Sequence, residues 1–243
     1  PTGPSTLVAW IGYGLGGGNN FGASVATAGD VNGDGFSDII IGAPRVAGLG
    51  GSDVGEVYVF HGSSSGPGAS PNWTHAGDQL WAFYGASVAT AGDVNGDGYS
   101  DVIIGAPRYD GAGVNPEDVG RAYVYHGSAS GLAANHTWST LGSWYSYLGY
   151  SVATAGDVNR DGYADVIIGA PHRDTGLEGA DSGSAFLYYG SSGGINDATY
   201  LHFRRRGNMG QNYWLFGYSV STAGDVNGDG YSDVIVGAYL CDN

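Results

Sequence analysis

Four segments of the chain repeat one pattern of oxygen-bearing residues, D-x-N-x-D-G-x-x-D. They are Asp30, Asn32, Asp34 and Asp38; Asp93, Asn95, Asp97 and Asp101; Asp157, Asn159, Asp161 and Asp165; and Asp225, Asn227, Asp229 and Asp233. Side-chain oxygens at positions 1, 3 and 5 alternate along such a loop, and a glycine at 6 lets it turn sharply. The backbone carbonyl at 7, from Phe36, Tyr99, Tyr163 or Tyr231, and the carboxylate at 9 complete a shell of about six or seven oxygens around a hard cation. Ligation by oxygen alone at that number favours Ca2+ over Mg2+, which keeps water in an octahedron, and over Zn2+, which prefers nitrogen and sulfur. Asp, Asn and Gly also build turns that need no metal. Four copies that keep every side-chain position weigh toward calcium, and four Ca2+ sites are expected.

The charge balance supports that reading. The chain has 23 Asp and Glu against 8 Lys and Arg, a formal net charge of −15. Each loop carries three carboxylates, so the four loops hold about half of the acid, and divalent cations there would offset much of the net charge. Nucleic acid is excluded as a partner, because phosphate binding needs a basic surface. Cys241 is the single cysteine of the 243 residues, so neither an internal disulfide nor a cysteine metal site is available. No run of 18 apolar residues is present, so no membrane-spanning helix is expected.

The loops must be held by something regular, and the repeat around them shows what. FGASVATAGDVNGDGFSDIIIGAPR, from Phe21, recurs in close variants from Tyr84, Leu148 and Phe216. A second block, GEVYVFHGS at 55–63, recurs at 120–128 and 183–191. A looser aromatic block follows, around Trp73, Trp138 and Tyr200 to Phe203, with Leu7 to Trp10 as its N-terminal counterpart. Runs of β-branched and aromatic residues between Gly, Asp, Asn and Pro read as four short strands per repeat, A to D. The 47 glycines and 8 prolines suit tight turns, and 42% hydrophobic residues suffice for a core. An EF-hand or dockerin needs an acid at loop position 12, which is here Ile41, Ile104, Ile168 or Val236, the start of a strand rather than a helix. The expected fold is all-β, a propeller of four-stranded antiparallel blades, with small strand-A residues such as Ala26 and Ala28 near the axis. Blades are expected at 21–83, 84–147, 148–215 and, in part, 216–243, with a strand over 5–12 closing the last blade or exchanged with another chain.

Phe21-Gly22 and Gly42-Ala43-Pro44 on either side of the acidic loop resemble the FG-GAP repeat of integrin alpha-subunit β-propellers and related bacterial and fungal proteins. The resemblance covers nearly the whole chain and implies calcium-binding blades in an extracellular adhesion or sugar-binding setting. Tyr84 and Leu148 stand where the motif has Phe, and Tyr239 where it has Pro. Arg160 replaces the glycine at loop position 4, which supplies no side-chain ligand.

Other chemistry is sparse. The six histidines are dispersed and read as core or rim residues, and nucleophile-elbow, P-loop and zinc-protease motifs are absent, so no enzyme is expected. Arg204, Arg205 and Arg206 read as a charged strand edge. Asn72 and Asn135 begin N-x-T sequons. The D-A turns carry aromatics at the end of strand A opposite the calcium loops, and Trp81, Trp144, Tyr145 and Trp214 are candidate ligand residues there. The functional expectation is a calcium-stabilised extracellular binding or adhesion module that recognises a protein or glycan through that face. Two alternatives stand beside it: a lectin, and a filament or homo-oligomer joined by strand addition at the incomplete fourth blade.

Overall fold

The computed structural model describes residues 10–14, 18–47, 53–112, 117–173, 182–197, 200–203 and 214–239. Among them are fourteen strands and no helix. The first sheet is β1 (Ser24–Gly29), β2 (Asp38–Ala43), β3 (Glu56–Phe60) and β4 (Trp73–Ala76), in that order and antiparallel throughout. The second is β5 (Ser87–Gly92), β6 (Asp101–Ala106), β7 (Arg121–Tyr125) and β8 (Trp138–Leu141). The third is β9 (Ser151–Gly156), β10 (Asp165–Ala170), β11 (Ser184–Tyr188) and β12 (Tyr200–Phe203). The fourth pairs β13 (Phe216–Gly224) with β14 (Asp233–Ala238). These are propeller blades, the last with two strands among the described residues. Arg204 to Arg206 fall outside those residues, as do 5–9 of the expected N-terminal strand; residues 10–14 are described and form no strand.

The innermost strands β1, β5, β9 and β13 contact one another in sequence, which is why they carry Ala, Ser and Thr where bulk would not fit. The apolar cores lie between the blades. Ile40, Val57 and Val59 of blade one pack with Val88, Ile104 and Tyr123 of blade two, while Ile103 and Val124 on the other face of blade two pack with Val166, Ile168 and Phe186. Because both faces of the middle strands are covered, DVIIGA is buried at every position in blades two and three. Each fully buried Ile or Val contributes about 1.5–3 kcal/mol.

A glycine latch joins successive blades and explains the recurring FG and GAP letters. In each D-A turn the glycine after the aromatic or Leu residue adopts a left-handed conformation, with φ from 83° to 89° at Gly22, Gly85, Gly149 and Gly217. The carbonyl of Gly85 then lies so close to Gly42 of the preceding blade that an added Cβ would stand 2.0 Å from it, and it accepts a hydrogen bond from Ser24 Oγ at 2.7 Å. Gly149 meets Gly105 and Ser87 in the same way, and Gly217 meets Gly169 and Ser151.

The same latch closes differently filled interfaces. Between blades one and two, Tyr84 is fully buried, donates its hydroxyl to Tyr125 at 2.9 Å, and packs with His75 and Tyr123. Between blades two and three the equivalent positions are Leu148 and Thr140, and a cavity of about 490 Å³ opens beside them, lined also by Tyr188, Tyr200, Arg173 and Asp197. Each D-strand tryptophan reaches across to the next blade. Trp73 packs edge-on against Tyr125, Trp138 against Tyr188, and Trp10 in the same manner against Phe60 of blade one.

Candidate functional site

Strand A of each blade ends in a bulge that turns the chain into the acidic loop. In blade one the register shifts between Thr27 and Gly29, where Gly29 has φ 78° and donates its amide to Thr27 Oγ1. Asp30 then organises the turn: its Oδ1 accepts the amides of Gly33 and Asp34, and its Oδ2 that of Gly35. Asp34 Oδ1 accepts the Phe36 amide, and Asn32 Oδ1 accepts the Asp34 amide. The pattern recurs around Asp93 and Asp225, and around Asp157 for the amides of Asp161 and Gly162.

The position-9 carboxylate ties the loop into the blade. Asp38 is buried, accepting the Val31 amide on one oxygen and the Gly62 amide, beyond strand C, on the other, each at 2.8 Å. Asp101 and Asp165 are buried in the same bonds, to Val94 and Gly127 and to Val158 and Gly190. Asp233 accepts the Val226 amide. Burial raises the carboxyl pKa of Asp38, and pushes Asp101 up to about 7 and Asp165 to about 6, with the neighbouring loop aspartates adding to the rise at the latter two. Asp34, on the solvent side, is lowered by its hydrogen bonds from Asn32 and the Phe36 amide.

Among the described residues no three His, Cys, Asp or Glu side chains are gathered into a metal-ligand group. The loop carboxylates instead face backbone amides. The donor chemistry nevertheless suits a hard cation. Positions 1, 3, 5 and 9 supply oxygen alone, a carboxylate oxygen taking one N–H keeps a lone pair, and Asp101, raised first by burial and then by repulsion from Asp97 and Asp93, is a group whose charge a positive ion would stabilise.

His61 and His126 belong with the loops rather than with the general core or rim. Their Nδ1 atoms lie 3.1 Å and 3.2 Å from the amide nitrogens of Asn32 and Asn95, whose other contacts are with Asp34 and Asp97. Each ring also rests against a glycine of the next blade, Gly131 or Gly194. The shared FHGS and YHGS letters were a signal for this, because the histidine recurs at one position in two blades and is Tyr189 in the third.

Acidic loops repeated between paired strands, with FG and GAP glycines interlocked across each blade boundary, are the features that comparison with known families recognises. The FG-GAP repeat model matches residues 21–60, 84–125, 148–188 and 216–240. The chain belongs to the FG-GAP repeat family. It is 33% identical over 227 residues to integrin alpha-5 of Xenopus laevis, covering 91% of this chain and 20% of that protein. Integrin alpha-V of Gallus gallus gives 33% identity over 227 residues with the same coverage, and integrin alpha pat-2 of Caenorhabditis elegans 34% over 234 residues, 91% of this chain and 18% of that one. The chain thus spans about a fifth of the length of the curated relatives it matches.

The opposite end of these FG-GAP blades presents the D-A turns beside the segments that follow GAP. Trp81, Trp144 and Tyr145 are exposed there, whereas Trp214 is 5% exposed and offers no open ring. Trp214 takes the turn position of Ala82 and Ser146, which are also buried, one place after that of Trp81 and Tyr145, and Leu215 follows it at φ 51°. Phe83 and Tyr147 hold the same left-handed conformation, φ 54° and 52°, at the corresponding place in their turns. They line a depression of about 420 Å³ with Pro44, Arg45, Arg108 and His172. Arg45 and Arg108 are residues that motif reading passed over. They sit one position past each GAP, in separate repeats, and meet only once the blades are stacked.

Proposed function

We propose that this chain is a calcium-stabilised, extracellular FG-GAP propeller module that adheres to a protein or glycan through the face opposite its acidic loops. The observation that carries the reading is the position-9 carboxylate: buried in three loops, crowded by its own loop's aspartates, and hydrogen-bonded at once to the loop and to the end of strand C. Ca2+ would be held by Asp30, Asn32, Asp34, the Phe36 carbonyl and Asp38, and by the equivalent residues of the other three loops. Its role is structural, compensating the loop charge. The chain's own residues do the remainder: the position-9 aspartates fix each loop against strand C, the glycine latch sets one blade against the next, and the D-A turns display Trp81, Trp144 and Tyr145. An outside location follows from the need for abundant calcium, and kinship with integrin alpha subunits supports the adhesion role. No helix is long and apolar enough to cross a membrane among the described residues. Thermal unfolding in EGTA and after added CaCl2 tests the reading. Calcium is expected to raise Tm by several degrees, and an unchanged midpoint would remove the structural role.

A second reading is favoured by Val25 in β1 and by Ile235 and Tyr239 at the other end, which are 66%, 60% and 67% exposed. Faces of that kind are covered in the inner blades, so further blades, from a second copy among other sources, would bury them. A monodisperse monomer by light scattering rules out the self-association form of this reading.

A further inference from the structure

Two guanidinium groups converge on one ring in the depression opposite the acidic loops. Arg45 and Arg108 lie 5.7 Å and 5.2 Å from the centre of Phe83, and Arg108 is also 6.0 Å from the centre of Tyr147. Both arginines are exposed, and they are two of only 8 basic residues in a chain of net charge −15. Like charges brought together ordinarily carry an acid between them. Among the described residues the one ion pair is Arg121 with Asp78, and no carboxylate lies within 4.0 Å of Arg45 or Arg108. Aromatic stacking positions a guanidinium by its flat face and leaves its in-plane N–H donors directed outward, the edge that pairs bidentately with a carboxylate.

We infer that this depression receives an acidic side chain, glutamate or aspartate, from an extended segment of a protein partner. The inference rests on the binding face proposed above and names what that face recognises. The lining selects for a carboxylate on an apolar stem. Pro44, Pro107, Ala86 and Phe83 supply apolar walls, while the hydroxyls that a sugar would need are engaged: Tyr147 donates to Asp118 at 2.8 Å, and Tyr150 is hydrogen-bonded to Tyr218. Phe83 and Tyr147 are held in left-handed turns, so the platform is set before a partner arrives. The pair of guanidinium groups also gives an acidic segment a favourable place to land on a chain of net charge −15.

The test uses the 243-residue chain in CaCl2 and follows arginine side-chain N–H signals by NMR. The probe is an acetylated, amidated tripeptide with glutamate between two leucines; controls are its glutamine counterpart, glucuronic acid and glucose. The glutamate peptide is expected to shift the arginine signals at least tenfold more tightly than the glutamine peptide, and the preference to fall when NaCl is raised to 0.5 M. The Arg45→Gln/Arg108→Gln variant, which alters only exposed groups, is expected to keep its Tm and lose the preference; Arg45→Lys/Arg108→Lys is expected to retain part of it. Equal affinity for the two peptides, an unchanged preference in the glutamine variant, or tighter binding of glucuronic acid than of the glutamate peptide each overturns the inference. The EGTA experiment is read separately. Calcium-dependent stability without glutamate preference leaves the calcium-stabilised module standing and sinks the acidic partner, and glutamate preference in a calcium-independent chain keeps the acidic partner and removes the structural role of calcium.

Discussion

The interface between blades one and two and that between blades two and three are closed by one device and filled by two. Both are latched by a glycine carbonyl against a glycine Cα and by a serine hydroxyl, Ser24 to Gly85 and Ser87 to Gly149, each at 2.7 Å. Inside the latch, the first interface is packed with Tyr84, His75, Tyr123 and Tyr125, whereas Leu148 and Thr140 leave the second with its cavity of about 490 Å³. The contrast separates what the repeat must preserve from what it is free to vary. Blade spacing is set by backbone atoms at the latch, so side chains farther out can shrink without the blades closing over the gap.

The largest effect that would break this comparison lies at the latch. Gly42→Ala and Gly105→Ala each place a methyl 2.0 Å from a carbonyl oxygen that cannot withdraw without parting two blades. Each is expected to cost about 3 kcal/mol or more, lowering Tm by roughly 6–12 °C and equally in both interfaces. A marked difference between the two variants would mean that the latch is not the common element. Next in size, Tyr84→Leu gives the first interface the residue of the second. Loss of the buried ring and of its bond to Tyr125 is expected to cost about 2 kcal/mol in denaturant unfolding. Ser24→Ala and Ser87→Ala each remove one hydroxyl from a carbonyl and are expected to cost about 1 kcal/mol by the same measurement.

The smallest effect is the pH dependence that His75 and His136 contribute at the first interface. Burial lowers the pKa of His75 and of His136, with the neighbouring His136 and Arg121 charges respectively adding to the fall. A depressed folded-state pKa means that the unfolded chain takes up protons first, so stability is complete above the ordinary histidine value of 6.5 and is lost as pH falls below it. Thr140 replaces His75 in the second interface, so His75→Thr is expected to be less acid-sensitive than the parent, by less than about 1 kcal/mol at pH 6. Parallel pH–Tm curves for the two proteins would show that the histidine contributes nothing.

Much of this architecture was legible in the letters because four repeats state it together. Strands A, B and C, their order, and the acidic loop between A and B all follow from SVATAG, DVIIGA and VYVF recurring around D-x-N-x-D-G-x-x-D. Features that depend on neighbouring blades were not legible. Gly42 looks like an ordinary strand residue and Gly85 like an ordinary turn residue until one blade is set on the next, and Arg45 and Arg108 are more than sixty residues apart before Phe83 brings them together. Trp214 was legible in part, because it aligns with Ala82 and Ser146, small residues that are buried in their own turns, rather than with the exposed Trp81 and Tyr145.

The acidic loops also overlap one another. The Asp30 carbonyl accepts the Ser100 amide from the next loop at 2.9 Å, Asp93 likewise accepts Ala164, and Asp157 accepts Ser232. Tyr99 and Tyr163 lie on Gly33 and Gly96 of the loop before, and Arg160 answers the same contact by stacking on Tyr231. The row therefore has a polarity, each loop leaning back on its predecessor, and a disturbance in the first reaches the third only through the second. Energetically it is a one-dimensional lattice with nearest-neighbour coupling. Ordering any loop lowers the cost of ordering the one beside it, so if the loops take up calcium as proposed, its titration is expected to rise more steeply than independent sites allow.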